Sequence, residues 1–379
     1  MEAFVTTAKP RRLTLLSTLN PYLRTADLVA VDWRASTAGE VSPGLNPVRL
    51  IGLMRAAIER CRLDLDGKTV FTEAATGAYV VTPILAALAG AKRVIALSQS
   101  STHGTVAVVT AQTRHLAELA GVEQAIHIVT EKSREDIADA DIITNSAHVR
   151  PLDATMIGWM KSTAVVPLMY EAWEFRQTDL DLEACRRRGI RVAGTNERHP
   201  LVDVFSYLGP LAAKLLFDSG VAVYGSAILL ISDNPFLSYL KQGLGQLGAF
   251  VTVAPNVSAA PRGRRYDAIL VALRPGREPV LDADAALSIA KEWPGAVVAQ
   301  FWGDVDRDAL LAAGVPVWPR HAPAPGHMAI LLSALGPEPI VRLQAGGLKV
   351  GEVLLRGARS DEASYLQWPT PANVSSPST

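Results

Sequence analysis

Apolar and polar positions along the chain change period in a regular way. From Lys68 onward, short apolar runs bounded by turn residues alternate with stretches whose apolar residues recur every three or four positions. That is the pattern of strands followed by amphipathic helices. The runs predict strands at Thr69 to Ala74, Arg93 to Leu97, Ala125 to Val129, Asp141 to Thr144, Thr163 to Leu168 and Ile190 to Ala193. Between them the longer period predicts helices at Val80 to Ala89, Thr105 to Ala120, Arg134 to Ala138, Asp153 to Met160 and Leu180 to Arg188. A long apolar helix from Val202 to Phe217 then leads into a second series. Its strands are Ala227 to Ser232, Phe250 to Val253, Asp267 to Ala272, Ala296 to Gln300 and Val315 to Trp318, with helices at Phe236 to Leu247, Ala283 to Lys291 and Asp306 to Ala312. Strands that alternate with helices in this way call for parallel sheets covered on both faces.

The same pattern divides the chain. Residues 1–66 form an N-terminal extension that packs on the first domain, carrying a basic turn (Lys9, Pro10, Arg11, Arg12) and a helix from Pro47 to Cys61. Residues 67–200 are the first domain, 201–219 the connecting helix and 220–322 the second domain. Residues 323–367 return to the cleft, with His327, Arg342 and Lys349 as polar candidates and a high density of glycine that calls for close backbone contacts; residues 368–379, rich in Ser and Pro, form a flexible tail.

Composition narrows the function classes by exclusion. Lys and Arg number 37 and Asp and Glu number 37, so no broad field collects phosphates or anionic lipid, and neither nucleic acid nor a membrane is an expected partner. The apolar stretch from Val80 to Ala91 is interrupted by Thr82 and Pro83 and falls short of the roughly 18 residues that span a bilayer. Cys61 and Cys185 make neither a disulfide framework nor a zinc site, no HxxxH or CxxC spacing supports a metal, and no signal-peptide pattern opens the chain; the expected location is cytoplasmic. His115, inside a helix, and His127, inside a strand, read as structural.

Ligands of open α/β sheets bind at the carboxyl ends of the strands. In the first domain the unusual polar residues collect there. The first strand ends in Glu73, Thr76, Gly77 and Tyr79, a one-glycine turn that opens a helix, and His103 starts the next helix but one. The fourth strand ends in Asn145, His148 and Arg150. The fifth ends in Tyr170, Glu171, Trp173 and Glu174, and a solvated loop rarely spends so many aromatics. Asn196, Glu197, Arg198 and His199 follow at the hinge, with Asp203 and Tyr207 just beyond. These residues point to a small polar substrate in the cleft between the domains. An imidazole of His148, His199 or His321 would move a proton, Arg150 or Arg198 would orient an anionic group, and Glu171 would tune the imidazole.

The order of three stretches, DLDLEACRRRGIRVAGTNE from Asp179, then VDVFSYLGPLAAKLLFD, then GSAILLISDNPFLSYLKQGLGQLGAFVTVAP, resembles the hinge and cofactor domain of the D-2-hydroxyacid dehydrogenase (formate/glycerate dehydrogenase-like) superfamily. The resemblance runs from about Thr69 to Leu331. It implies an α/β fold of two Rossmann-like doubly wound parallel-sheet domains joined by a long helix, the first flavodoxin-like and catalytic, the second for the dinucleotide, in a homodimer. The sequence departs from that pattern at the cofactor turn, where Ser232, Asp233, Asn234, Pro235 and Phe236 replace the glycine fingerprint. Trp302 stands before Gly303 in the place of the family's catalytic arginine, and His321 has the context of the family's final histidine. If the second domain holds a cofactor, Ser232, Asp233 and Asn234 would touch it, and Arg262 and Arg264 would favour NADP over NAD. The expected activity is an NADP-dependent oxidoreductase. A non-redox transferase or ligase-like enzyme is the alternative, with S-adenosylmethionine at the acid-and-glycine turn of the first strand; a catalytically silent binding protein is the third reading.

Overall fold

The computed structural model describes residues 43–369. The basic turn and the rest of the extension up to residue 42, and the tail from residue 370, lie outside the described residues. The first described helix, α1 (Pro47–Cys61), begins where Asn46 accepts the amide hydrogens of Val48 and Arg49 and where Pro47 suits the first turn. It buries Leu50, Met54, Ala57 and Cys61, one stripe at helical spacing, and stops at Arg62 in the left-handed region.

The first sheet is built by β1 (Thr69–Glu73), α2 (Val81–Leu88), β2 (Arg93–Leu97), α3 (Val106–Ala120), β3 (Ile126–Val129), α4 (Arg134–Asp139), β4 (Ile142–Ile143), α5 (Ala154–Trp159), β5 (Val165–Leu168), α6 (Leu182–Arg188) and β6 (Arg191–Thr195). Its parallel strands lie in the order β3-β2-β1-β4-β5-β6. All five residues of β1 are buried, as a central strand with helices on both faces requires. One face packs under α1 and α2, the other under α4, α5 and α6.

The second series is α7 (Leu208–Asp218), β7 (Ala227–Ser232), α8 (Phe236–Gln246), β8 (Phe250–Ala254), β9 (Ala268–Ala272), α9 (Ala283–Glu292), β10 (Val297–Trp302), α10 (Arg307–Ala312) and β11 (Val317–Trp318). Its order is β8-β7-β9-β10-β11, again parallel. The chain then returns to the first sheet through α11 (Glu338–Arg356) and β12 (Leu366–Gln367), which pairs antiparallel with β6.

Two differences from the expected elements have clear causes. The connecting helix starts at Leu208 rather than Val202, because Asp203 takes a left-handed conformation (φ 54°) and is held there by Arg60 at 3.2 Å and Arg342 at 2.9 Å. Arg342 is thereby committed to an ion-pair network, and Lys349, 2 % exposed, is paired with Glu352 at 2.9 Å inside the fold, so neither is a cleft ligand. The glycines of α11 let it lie on the first sheet: a Cβ on Gly347 would sit 2.5 Å from the Met169 sulfur.

The strand orders also reverse the assignment of the two domains. Counted within each sheet, the first has the 3-2-1-4-5-6 order and the second the 2-1-3-4-5 order. The six-stranded order belongs to dinucleotide-binding domains and the five-stranded order to flavodoxin-like ones. The resemblance had implied the opposite sequence of the two.

Candidate functional site

The carboxyl ends of β5 and β6 lie next to each other, and the residues that follow them converge. Glu171 is 2 % exposed and has three donors around it: the Trp173 indole N–H, the Gln367 side-chain amide at 3.0 Å and the Arg198 guanidinium at 3.4 Å. Gln367 belongs to β12, so the returning end of the chain completes this carboxylate's surroundings. The backbone N–H of Glu171 donates to the Glu174 carboxyl at 3.2 Å. Glu174 is exposed as a residue, its Oε1 is held by that amide, and desolvation followed by the Glu171 charge pushes its pKa up to about 7. Glu197 is buried, and burial with the Glu174 and Glu171 charges raises it well above the ordinary carboxylate range.

Tyr79 and Glu73 close the group from the β1 side. Burial, then the nearby charges of Glu73, Glu197 and Glu174, push the Tyr79 hydroxyl up to about 12, which places those four side chains in one neighbourhood. Burial raises Glu73, whose carboxylate accepts the backbone N–H of His148 at 3.1 Å. Carboxyls that differ this much in their hold on a proton, side by side at the end of a sheet, can give a proton to a substrate and take one from it.

A cavity of about 100 Å³ opens beside Glu171 between the two domains. Arg198 and Trp173 line it from the first domain, Phe205 from the crossing, and Asn234, Phe236, Arg274 and Trp302 from the second. Its walls are aromatic: Trp173 packs on Trp302 with centroids 4.9 Å apart, and Phe236 lies 5.0 Å from Trp302 and 5.4 Å from Phe205. Trp302 anchors its indole N–H to the Gly326 carbonyl at 3.2 Å. Where the resemblance would have had a substrate-gripping arginine, this side chain therefore builds a wall. Arg274, at the end of β9, makes no ion pair among the described residues; nothing in its ALRPGRE context marked it in the sequence.

Several predicted residues are spent elsewhere. Arg150 pairs with Asp179 at 3.0 Å, and the Tyr170 hydroxyl donates to the same carboxylate at 3.1 Å, so both pin the loop after β5. His199 stacks on Tyr365 at 3.7 Å while its Nδ1 accepts the Leu201 amide hydrogen, and burial lowers its pKa, so its ring is engaged in packing at the hinge. His148 enters through its backbone, and His321 is exposed beyond the edge strand β11, outside the cavity lining. His327 is exposed, and desolvation, then the charges of Arg176 and Arg150, lower its pKa. Asn196 ties the hinge down through the Ser364 carbonyl at 2.7 Å. Asn145 accepts the Met169 amide hydrogen at 2.8 Å, Thr76 donates to the His103 carbonyl at 3.3 Å, and Gly77 has a positive φ of 61° in the turn after β1.

The cofactor residues expected in the second domain do not fit a dinucleotide. Its crevice lies between β7 and β9, where the order reverses. Asn234 bridges that gap by donating to the Ala272 carbonyl at 2.6 Å, and its Oδ1 takes the Phe236 amide hydrogen. The Leu237 amide hydrogen goes to the Asn234 carbonyl, and Pro235 has none to offer. Asp233 adds an exposed acid at the turn, Ser232 is buried at the strand end, and Phe236 fills the space beyond. Arg262 pairs with Glu292 at the last residue of α9. Its neighbour Arg265 borders a surface cavity with Ser226, Asp267 and Gly295, which precede β7, β9 and β10. The arginine loop that includes Arg264 thus runs to the amino ends of the strands, away from the place of a 2′-phosphate. Among the described residues no group of His, Cys, Asp and Glu is arranged to hold a metal ion, and no helix is long and apolar enough to cross a membrane.

No family model matches the chain, and no curated protein is similar to it in sequence. Solved structures are similar in fold. A dipicolinate synthase chain from Bacillus subtilis is 11 % identical over 78 % of this chain and 99 % of that one, with a TM-score of 0.51. Its counterpart in the dipicolinate synthase of Bacillus halodurans is 12 % identical over 77 % and 99 %, TM-score 0.49, and the apo D-mandelate dehydrogenase of Rhodotorula graminis 13 % over 77 % and 96 %, TM-score 0.40. The architecture of two parallel-sheet domains read from the sequence is thus the fold of the Bacillus subtilis protein.

Proposed function

We propose that the chain is an enzyme that moves protons on a small polar substrate in the inter-domain cavity, without a dinucleotide in the second domain. The observation that carries this reading is the glutamate group at the ends of β5 and β6. Burial and the neighbouring carboxylates raise the proton affinity of Glu197, Glu174 is pushed up to about 7, and Glu171 borders the cavity under Arg198. Glu197 and Glu174 exchange protons with the substrate by way of Glu171, the one of the three that lines the cavity, while Arg198 and Arg274 orient a negatively charged part of the substrate and the aromatic wall keeps water from the reacting atoms.

Hydride transfer with NADP is the second reading, favoured by the fold that the chain shares with the Bacillus subtilis protein. In that reading the nicotinamide supplies the hydride, and the same glutamates supply the proton. One experiment separates the two: incubation in heavy water with a panel of small oxo, hydroxy and amino acids, with and without NADP or NADPH, read by proton NMR. Proton transfer alone gives deuterium incorporation at carbon without nucleotide, reduced about 10²- to 10⁴-fold in Glu197→Gln. Turnover that appears only with NADP or NADPH and changes the nicotinamide absorbance would replace the first reading by the second.

A further inference from the structure

We infer that a second binding site, for an adenosine-bearing ligand, lies in the first domain at the turn after β1. The topology locates it. Strand order reverses between β1 and β4, and the crevice outside such a reversal is where doubly wound sheets take nucleotides. The backbone there is open. The Ala74 amide hydrogen goes to the Leu97 carbonyl at 2.9 Å and that of Tyr79 to the Thr76 carbonyl at 3.3 Å, whereas the four amides between them, from Ala75 to Ala78, have no acceptor among the described residues. Gly77 presents this turn with a positive φ of 61°, and a Cβ placed on it would meet nothing within 4 Å.

Two buried polar atoms at the same end of the sheet are also without partners. The Ser98 hydroxyl, on a residue 0 % exposed, directly follows β2, the strand beside β1; Asn145 Nδ2, on a residue 1 % exposed, follows β4 across the reversal. A buried unpaired donor is costly unless a ligand or water completes it. Ser98 stands at the end of β2, where such domains usually place an acid for the ribose hydroxyls, so a hydroxyl takes the acid's place here. Beyond it the loop through His103 is drawn over the turn by Thr76. In the corresponding crevice of the second domain the Ser232 hydroxyl is likewise buried without a partner, but Asn234 bridges the gap and caps the helix behind it.

Glu73 faces the same crevice, its carboxylate engaged by the His148 amide hydrogen. An acid there suits a ligand whose charge near the turn is positive, so the sulfonium cofactor is expected to bind more tightly than the dinucleotides. The chemistry shared by the two cofactor classes that would fit is adenosine, and the arms of the test tell them apart: NAD, NADP and NADPH on one side, S-adenosylmethionine and S-adenosylhomocysteine on the other. Thermal unfolding and calorimetric titration of the full chain with each compound should show binding by at least one class. In Ser98→Ala the dissociation constant should rise about tenfold, the worth of one hydrogen bond, while the unliganded melting temperature stays unchanged because that hydroxyl has no partner to lose. Gly77→Val should weaken binding further, and Asp233→Ala in the second domain should leave it unchanged. Should Gly77→Val fail to fold, Ser98→Ala alone decides. The inference is overturned if no adenosine compound binds, or if binding is indifferent to Ser98→Ala and is lost in Asp233→Ala. Failure of the inference leaves the proton-transfer reading standing, because that reading rests on β5 and β6, whereas binding of NADP or NADPH would favour hydride transfer.

Discussion

The turn after β1 and the turn after β7 occupy the same place in their two sheets, and they are built in opposite ways. After β1 the chain offers a succession of free amides and a glycine with a positive φ. After β7 an asparagine takes up the amides, a proline removes one, and Phe236 closes against Trp173 and Trp302. A doubly wound sheet supplies the position of a binding site. The few residues of the turn decide whether that position remains a site or becomes a packing surface, as fold-level similarity alone would not reveal.

The largest test of this contrast is Phe236→Ala. If the second turn is packing surface, removing a ring that touches four other aromatics should cost about 3–5 kcal/mol in urea unfolding. A cost below about 1 kcal/mol would mean that the aromatic wall is not a working part of the core. Next is Asn234→Ala, which removes both the helix cap and the bridge to Ala272; about 1–2 kcal/mol is expected from the same unfolding curves.

The glutamate end should declare itself through pH. Glu197 holds its proton in the fold to a pH well above its ordinary 4.5, so between those values the folded state binds a proton that the unfolded state has released. The sign follows: wild-type stability from this group falls as pH rises out of the ordinary carboxylate range. Glu197→Gln should cancel that fall, gaining on wild type as pH rises above 4.5, with no relative gain near pH 4.5. A parallel pair of stability–pH curves would contradict the raised proton affinity. The smallest effect is expected for Arg262→Ala, where an exposed pair with Glu292 is lost at the amino ends of the second sheet; a change within about 0.5 kcal/mol is the expected outcome of a melting scan.

Most of the fold was legible from neighbouring residues. β2 and β7 have the bounds that their apolar runs predict, and the remaining strands and helices differ mainly at their ends. The exceptions are segments whose conformation is set from a distance, such as the run from Val202 to Val204, where Arg60 and Arg342 hold Asp203 out of the helix. The candidate site was legible in part. Glu73, Tyr79, Glu171, Trp173, Glu174, Glu197 and Arg198 were visible as polar or aromatic residues at strand ends, and the structure brings them together. His199 looked the same in sequence, and only Tyr365, 166 positions later, makes it a stacked packing group. Arg274 carried no local mark, because what singles it out is the cavity that it borders.

The sequence by itself determined the alternation of strand and helix, the loss of the glycine turn after β7 and the stock of ionisable groups at strand ends, since each is written in residues that are adjacent or one turn apart. Only the tertiary structure decided which of those groups meet, that the six-stranded order falls in the first domain, and that the arginine loop ends at the wrong edge of its sheet for a cofactor. Those outcomes depend on the order in which strands lie side by side, and that order is fixed by crossovers and by burial summed over the whole sheet. No stretch of chain short enough to have its own period contains that information.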